Sequence, residues 1–114
     1  MTLNAKQAEF ALYIARLIVW AHNNGLPCMG AEWFRTDEQA EIYAKSGKGI
    51  RNSNHRKKLA LDIFILVDGK VTWDNAVYAK LGKKWKSMHP LARWGGDFAG
   101  RDGVHFSFEH NGVK

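Results

Sequence analysis

Two histidines and two aspartates carry the chemistry that can be read from this chain. His55 and Asp62 lie in Ser53-Asn54-His55-Arg56-Lys57-Lys58-Leu59-Ala60-Leu61-Asp62, and Asp102-Gly103-Val104-His105 follows near the C-terminal end. Two neutral imidazoles and one carboxylate form the three-ligand set of a catalytic zinc ion, whose fourth position is left for water. Imidazole and carboxylate suit zinc without any thiolate. Asp102 is then a spare carboxylate, and its place three residues before His105 makes it the candidate general base.

These side chains can act together only if the elements carrying them meet. Leu59 to Leu66 is a short apolar run, rich in branched and aromatic residues, that ends at the hairpin pair Asp68-Gly69. It reads as a buried strand. A carboxylate inside such a run needs a cation or strong donors, because burying a bare charge is expensive. Arg51, Arg56, Lys57 and Lys58 offer an ordinary salt bridge as the alternative to a metal. Alternation through Val104-His105-Phe106-Ser107-Phe108 puts His105, Ser107 and Glu109 on one strand face and Val104, Phe106 and Phe108 on the other. If the two strands are neighbours, Asp62 and His105 converge and His55 enters from the polar loop ahead of the first strand. A lone histidine in such a loop is otherwise a solvated side chain.

Ser53-x-His55-x6-Asp62 followed by Asp102-x-x-His105 resembles the zinc D-Ala-D-Ala carboxypeptidase and L-alanyl-D-glutamate endopeptidase family. That family includes small bacteriophage endolysins and bacterial cell-wall peptidases, and it shares a fold with the Hedgehog signalling domain. Its pattern is Ser-x-His-x-x-Gly-x-Ala-x-Asp, then an acidic residue three positions before a histidine. The chain supplies Ser53, His55, Ala60, Asp62, Asp102 and His105, and departs at the glycine, where Lys58 stands. Arg35-Thr36-x-x-Gln39 is similar to the family's Arg-Thr-x-x-Gln segment, and Trp94-Gly95-Gly96-Asp97 to its Trp-Gly-Gly-Asp stretch. The likeness runs from Leu26 to Glu109.

The resemblance implies an α+β fold, a small antiparallel sheet with helices packed on one side. It also implies His55, Asp62 and His105 as zinc ligands and the peptide stems of bacterial peptidoglycan as substrate. Arg35, at a strand end beside a helix start, is expected to fork onto a peptide carboxylate or to support oxyanion charge. Ser53 is a candidate substrate-binding residue or a support for His55. Gln39 is read first as a helix cap and, through the resemblance, as an orienting group. Trp94 is placed either along the substrate groove or in the core.

The remaining elements follow from periodicity and punctuation. Phe10, Ile14, Leu17, Ile18 and Ala21 mark an amphipathic helix over 5–23, with Asn4 as cap and Asn24-Gly25 as stop. His22 supplies a favourable charge at its end. Pro27 to Phe34 is an expected strand, and Thr36-x-x-Gln39 a capping box opening a helix to Lys45. The loop from Ser46 to Asn54 lacks the ending of a phosphate loop and is read as a flap. Lys70 to Trp73 pairs back after the hairpin, and Asp74 caps a helix toward Leu81. Gly82-Lys83-Lys84-Trp85-Lys86 reads as a helix end with a solvated lysine face, the alternative being stacking on sugar or base. His89 and His110 are expected at the surface.

At 114 residues the chain is expected to be one domain, 1–114. Its 17 basic and 11 acidic residues leave a formal charge of +6, which attracts polyanions without choosing among them. A basic nucleic-acid-binding protein without catalytic metal is therefore the rival from another class, and a domain of this fold that has lost activity is a third reading. The single cysteine, Cys28, allows no internal disulfide, and no Cys-His cluster supports a structural zinc finger. No apolar run reaches the ~20 residues of a membrane span. With no secretory leader in the sequence, a monomer made in the host cytoplasm and acting on the wall after release is expected. The leading expectation is a zinc L-alanyl-D-glutamate endopeptidase acting as a phage endolysin. A D-alanyl-D-alanine carboxypeptidase with the same metal site is the alternative.

Overall fold

The computed structural model describes residues 1–34, 36–45 and 53–114. In chain order the elements are α1 (Leu3–Asn23), β1 (Cys28–Glu32), α2 (Asp37–Lys45), a 3-10 turn (Asn54–Lys57), β2 (Ala60–Val67), β3 (Lys70–Val71), α3 (Asn75–Met88), β4 (Ala92–Trp94), a second 3-10 turn (Gly95–Asp97) and β5 (His105–Phe108). The strands form an antiparallel sheet in the order β1-β2-β5-β4, with β3 paired to the far end of β2. This is the α+β arrangement expected from the sequence.

Burial divides the sheet by the two-residue period of a strand. Leu61, Ile63 and Ile65 of β2 and Phe106 and Phe108 of β5 are buried with Phe10, Ile14 and Leu17 of α1 and Leu81 and Trp85 of α3. Phe108 stacks on Trp85 with ring centroids 5.5 Å apart, and Phe10 meets both rings edge-on. Asp62 and His105 have the opposite parity and project from the other face. One face of the sheet holds the core; the other holds the chemistry.

Local signals explain most boundaries. α1 begins before the expected start, because Thr2 rather than Asn4 caps it, its hydroxyl accepting from the Ala5 N–H at 3.1 Å. The β2–β3 turn has positive φ at both central residues, Asp68 (53°) and Gly69 (78°), as a tight hairpin of this twist requires. Asp74 caps α3 through its carboxylate and the Ala76 N–H.

Further expectations are corrected. α3 does not end near Leu81 but runs through the basic segment to Met88. A β-carbon at position 82 would stand 2.2 Å from the Trp94 ring, so the glycine there makes room for an indole and does not stop the helix. Stacking of Trp85 on a sugar or base, the alternative reading of this segment, is excluded as well: the ring is fully buried and donates its indole N–H to the carbonyls of Arg93 and Ser107. His89 is no ordinary surface histidine either. Its ring stacks on Phe108, its Nδ1 accepts the Leu91 N–H, and its Nε2 lies 3.4 Å from Glu9.

Cys28 is half-buried, and burial pushes its thiol pKa up. Among the described residues no helix is long and apolar enough to cross a membrane.

Candidate metal centre

Strand register is what brings the site together. Across the three neighbouring strands, Glu32 of β1 lies opposite Asp62 of β2, and Asp62 lies opposite His105 of β5. Directly opposed residues of an antiparallel pair project to the same face. The Asp62 carboxylate Oδ1 is 3.7 Å from His105 Nδ1 and 3.3 Å from His55 Nε2. One potential ligand atom from each of the three side chains lies within 4.8 Å of the others.

His55 arrives from the 3-10 turn, whose geometry is set by its neighbours. The Ser53 hydroxyl caps the turn by accepting the His55 N–H at 3.2 Å. Lys58 closes it in the left-handed conformation (φ 55°, ψ 37°), the position at which the family pattern carries glycine. Asn54 is fully buried and anchors the turn: its Nδ2 donates to the carbonyls of Phe108 at 2.9 Å and Val113 at 2.8 Å. The turn is thereby fastened to the end of β5, the strand that carries His105. Sequence reasoning passed over Asn54, since an asparagine beside a histidine in a polar loop carries no signal of burial.

The imidazole of His55 has its hydrogen placed by the backbone. Its Nδ1 lies 3.3 Å from the Trp33 carbonyl oxygen, which can only accept, so Nδ1 carries a hydrogen and Nε2 is the ring nitrogen turned to Asp62. A lone pair and a carboxylate oxygen 3.3 Å apart in a buried site repel unless a proton or a metal ion lies between them. Asp62 Oδ1 and His105 Nε2 are both buried without a hydrogen-bond partner among the described residues. Burial pushes the Asp62 carboxyl up, but interaction with His105 and His55 outweighs it and holds the pKa at about 2. A divalent cation shared by His55 Nε2, His105 Nδ1 and Asp62 Oδ1 would satisfy the buried carboxylate oxygen and separate it from the two ring nitrogens, and the donor set fits one.

Asp102 is tied to the same centre through the backbone. Its N–H donates to the Gly95 carbonyl at 2.8 Å, and its own carbonyl accepts the His105 N–H at 3.0 Å. The approach is close enough that a β-carbon at Gly95 would stand 2.0 Å from the Asp102 carbonyl oxygen and 2.8 Å from His105 Cβ. Asp102 is exposed. Trp94 lies inward, 7% exposed, with its indole N–H donating to the Gly103 carbonyl, so it supports this turn from below. Gln39 and Thr36 form the reciprocal cap read from the sequence, each side chain accepting the other's N–H. Arg35 and the 46–52 part of the expected flap lie outside the described residues.

No family model matches the chain. It is 33% identical over 101 residues to the L-alanyl-D-glutamate peptidase of Listeria phage A118, a match covering 85% of this chain and 36% of that relative. The chain thus spans about a third of the relative's length. Among solved structures it is similar to the L-Ala D-Glu endopeptidase ChiX of Serratia marcescens, with TM-score 0.65, 22% identity, and coverage of 74% of this chain and 68% of that one. It is also similar to the vancomycin resistance D,D-pentapeptidase VanY from a VanB-type cassette, an E175A mutant solved with Zn(II), with TM-score 0.61, 19% identity, and coverage of 88% and 70%. The fold is that of the L-Ala-D-Glu and D,D-peptidases. The resemblance drawn from the four sequence segments is borne out. Within that peptidase fold, the row from Asp62 to His105 and the turn bearing His55 form the candidate metal centre.

Proposed function

We propose that this chain is a zinc-dependent peptidoglycan peptidase, an L-alanyl-D-glutamate endopeptidase of the endolysin kind. The observation that carries the reading is the convergence of His55 Nε2, His105 Nδ1 and Asp62 Oδ1, with the His55 hydrogen held on the opposite nitrogen by Trp33. Zinc bound there would supply a Lewis acid and lower the pKa of a coordinated water from ~15.7 toward ~7. Asp62 stays ionised throughout the working pH range, because its carboxyl is held at about 2. The Asp102 carboxylate accepts the proton of the attacking water and returns it to the leaving amine nitrogen, so the amide bond is exchanged for an acid and an amine. Arg35 is assigned to the developing oxyanion from its place in the sequence. Ser53 acts by holding His55, its hydroxyl accepting that residue's N–H. The formal charge of +6 favours approach to an acidic envelope. All these groups come from one chain, so a monomer can carry out the reaction, at the wall and away from its site of synthesis.

Product mapping on purified peptidoglycan, beside metal analysis, tests the reading. Wild type is expected to bind about one zinc and to cleave between L-alanine and D-glutamate. Release of free D-alanine instead would make it a carboxypeptidase using the same centre. His105→Ala should lose metal and turnover together. Asp102→Ala should keep the metal and lose activity by roughly 10²–10⁴-fold. Near-full activity in Asp102→Ala would remove that residue from the base role. A protein that binds no zinc yet binds DNA with a steep salt dependence would overturn the reading as a whole.

A further inference from the structure

The surface between α1 and α3 lies on the helix side of the sheet, and none of its residues belongs to the metal centre. Two adjoining hollows there share Trp20. One, of ≈ 490 Å³, is lined by Trp20, Asn24, Leu26, Lys80, Lys83, Lys84 and Ser87. The other, of ≈ 430 Å³, continues past Trp20 to Arg16 and the exposed Val19. Four cations therefore line the pair, and no carboxylate does among the described residues. Lys80, Lys83, Lys84 and Ser87 lie along one side of α3, at successive separations of three, one and three residues, and span about 10 Å along the axis. Lys84 is half-buried with its ammonium 5.4 Å from the centre of the Trp20 ring, so part of the positive field is held in place before any ligand arrives.

We propose that these hollows bind a chain of sugar or polyol phosphates. Lysines at this spacing match two or three successive phosphates, while Trp20, Leu26 and Val19 offer an apolar floor to the C–H faces between them. Charge without a compensating acid excludes a neutral glycan as the preferred ligand. A single indole already engaged by an ammonium is a poor platform for stacked bases, which are bound on rows of aromatic side chains. Choosing phosphate-bearing wall polymers over nucleic acid rests on the peptidase reading. The binding itself is measured without turnover and stands or falls separately.

The test titrates poly(glycerol phosphate) of defined length into wild type, into the Lys80→Gln/Lys83→Gln/Lys84→Gln variant, and into a charge-matched control, Lys45→Gln/Lys70→Gln/Lys114→Gln. Thermal unfolding confirms that each variant is folded. Wild type should bind with a log–log salt slope of about −2, the value for roughly three phosphate contacts on a flexible strand. The hollow variant should lose tenfold or more in affinity and most of that slope, and the control less than threefold. Trp20→Leu, which keeps every charge, should still weaken binding several-fold. On a soluble peptide stem all variants should turn over as wild type does. Only the hollow variants should be slower on walls that carry the phosphate polymer, and equal on walls stripped of it. Equal losses in the two lysine variants, or tighter binding of duplex DNA than of the polymer, would overturn the proposal.

Discussion

Replacing Asn54 by alanine tests whether the site depends on a residue that touches neither metal nor substrate. The substitution removes two hydrogen bonds donated to Phe108 and Val113. Each such bond contributes about 1 kcal/mol net, and the Phe108 carbonyl, in a fully buried residue, would add a desolvation cost of about 1 kcal/mol when orphaned. Against this, Asn54 Oδ1 is itself buried without a partner, so its removal returns about 1 kcal/mol. The balance is a loss of about 2 kcal/mol. With an unfolding entropy of about 2.1 cal/mol/K per residue over 114 residues, the midpoint should fall by about 8 °C. Thermal unfolding of the metal-free protein measures that number. Zinc titration against a competing chelator measures the second consequence: with the turn loosened from β5, His55 is less well held and affinity should drop by about 10–100-fold, as for other groups that orient a ligand. A lowered midpoint with unchanged zinc affinity would show that Asn54 stabilises the fold without positioning His55. An unchanged midpoint would refute the hydrogen-bond accounting itself.

Lys58 occupies a left-handed conformation that glycine adopts without strain, so Lys58→Gly should be more stable than Lys58→Ala by about 1 kcal/mol. Both variants lose the ammonium contact over Phe34, which makes the comparison clean, and equal midpoints would sink the argument. Gly95→Ala should destabilise by about 3 kcal/mol or more and weaken zinc binding, because the new methyl meets backbone at Asp102 as well as His105; a well-folded variant with native zinc affinity would contradict this. In chelator-stripped protein, the Asp62 carboxyl is held at about 2 against an ordinary 3.8. A depressed carboxyl stabilises above its unfolded pKa and ceases to do so as pH falls through the folded value. About 2 kcal/mol should therefore be lost between pH ~4 and pH ~2, and the pH slope of stability over that window should be shallower in Asp62→Asn. Identical slopes for the two proteins would mean that the imidazoles do not hold the carboxylate.

Much of the scaffold was legible because it is written locally. The apolar stripe of α1, the reciprocal Thr36–Gln39 cap, the Asp68-Gly69 hairpin and the Asp74 cap each depend on residues a few positions apart. The candidate ligands were legible for a related reason: a charge inside an apolar strand and a histidine in an alternating one stand out against their neighbours. What misled was equally local. Gly82 and its flanking lysines look like a helix end until Trp94, twelve residues on, is seen to occupy the space a side chain would need. His89 looks solvated until Phe108 lies against it.

By itself the sequence determined residue types, their periodicity and therefore the helices, the strands and the set of groups able to hold a metal. Only the tertiary structure decided that Asp62 pairs in register with His105, that Asn54 fastens the His55 turn to β5, and that the Trp33 carbonyl fixes which imidazole nitrogen is free. The reason is that a helix stripe or a turn is set by interactions between near neighbours in the chain. Strand register and the burial of a polar anchor arise instead from contacts between segments some fifty residues apart, whose energies exist only once the core has closed.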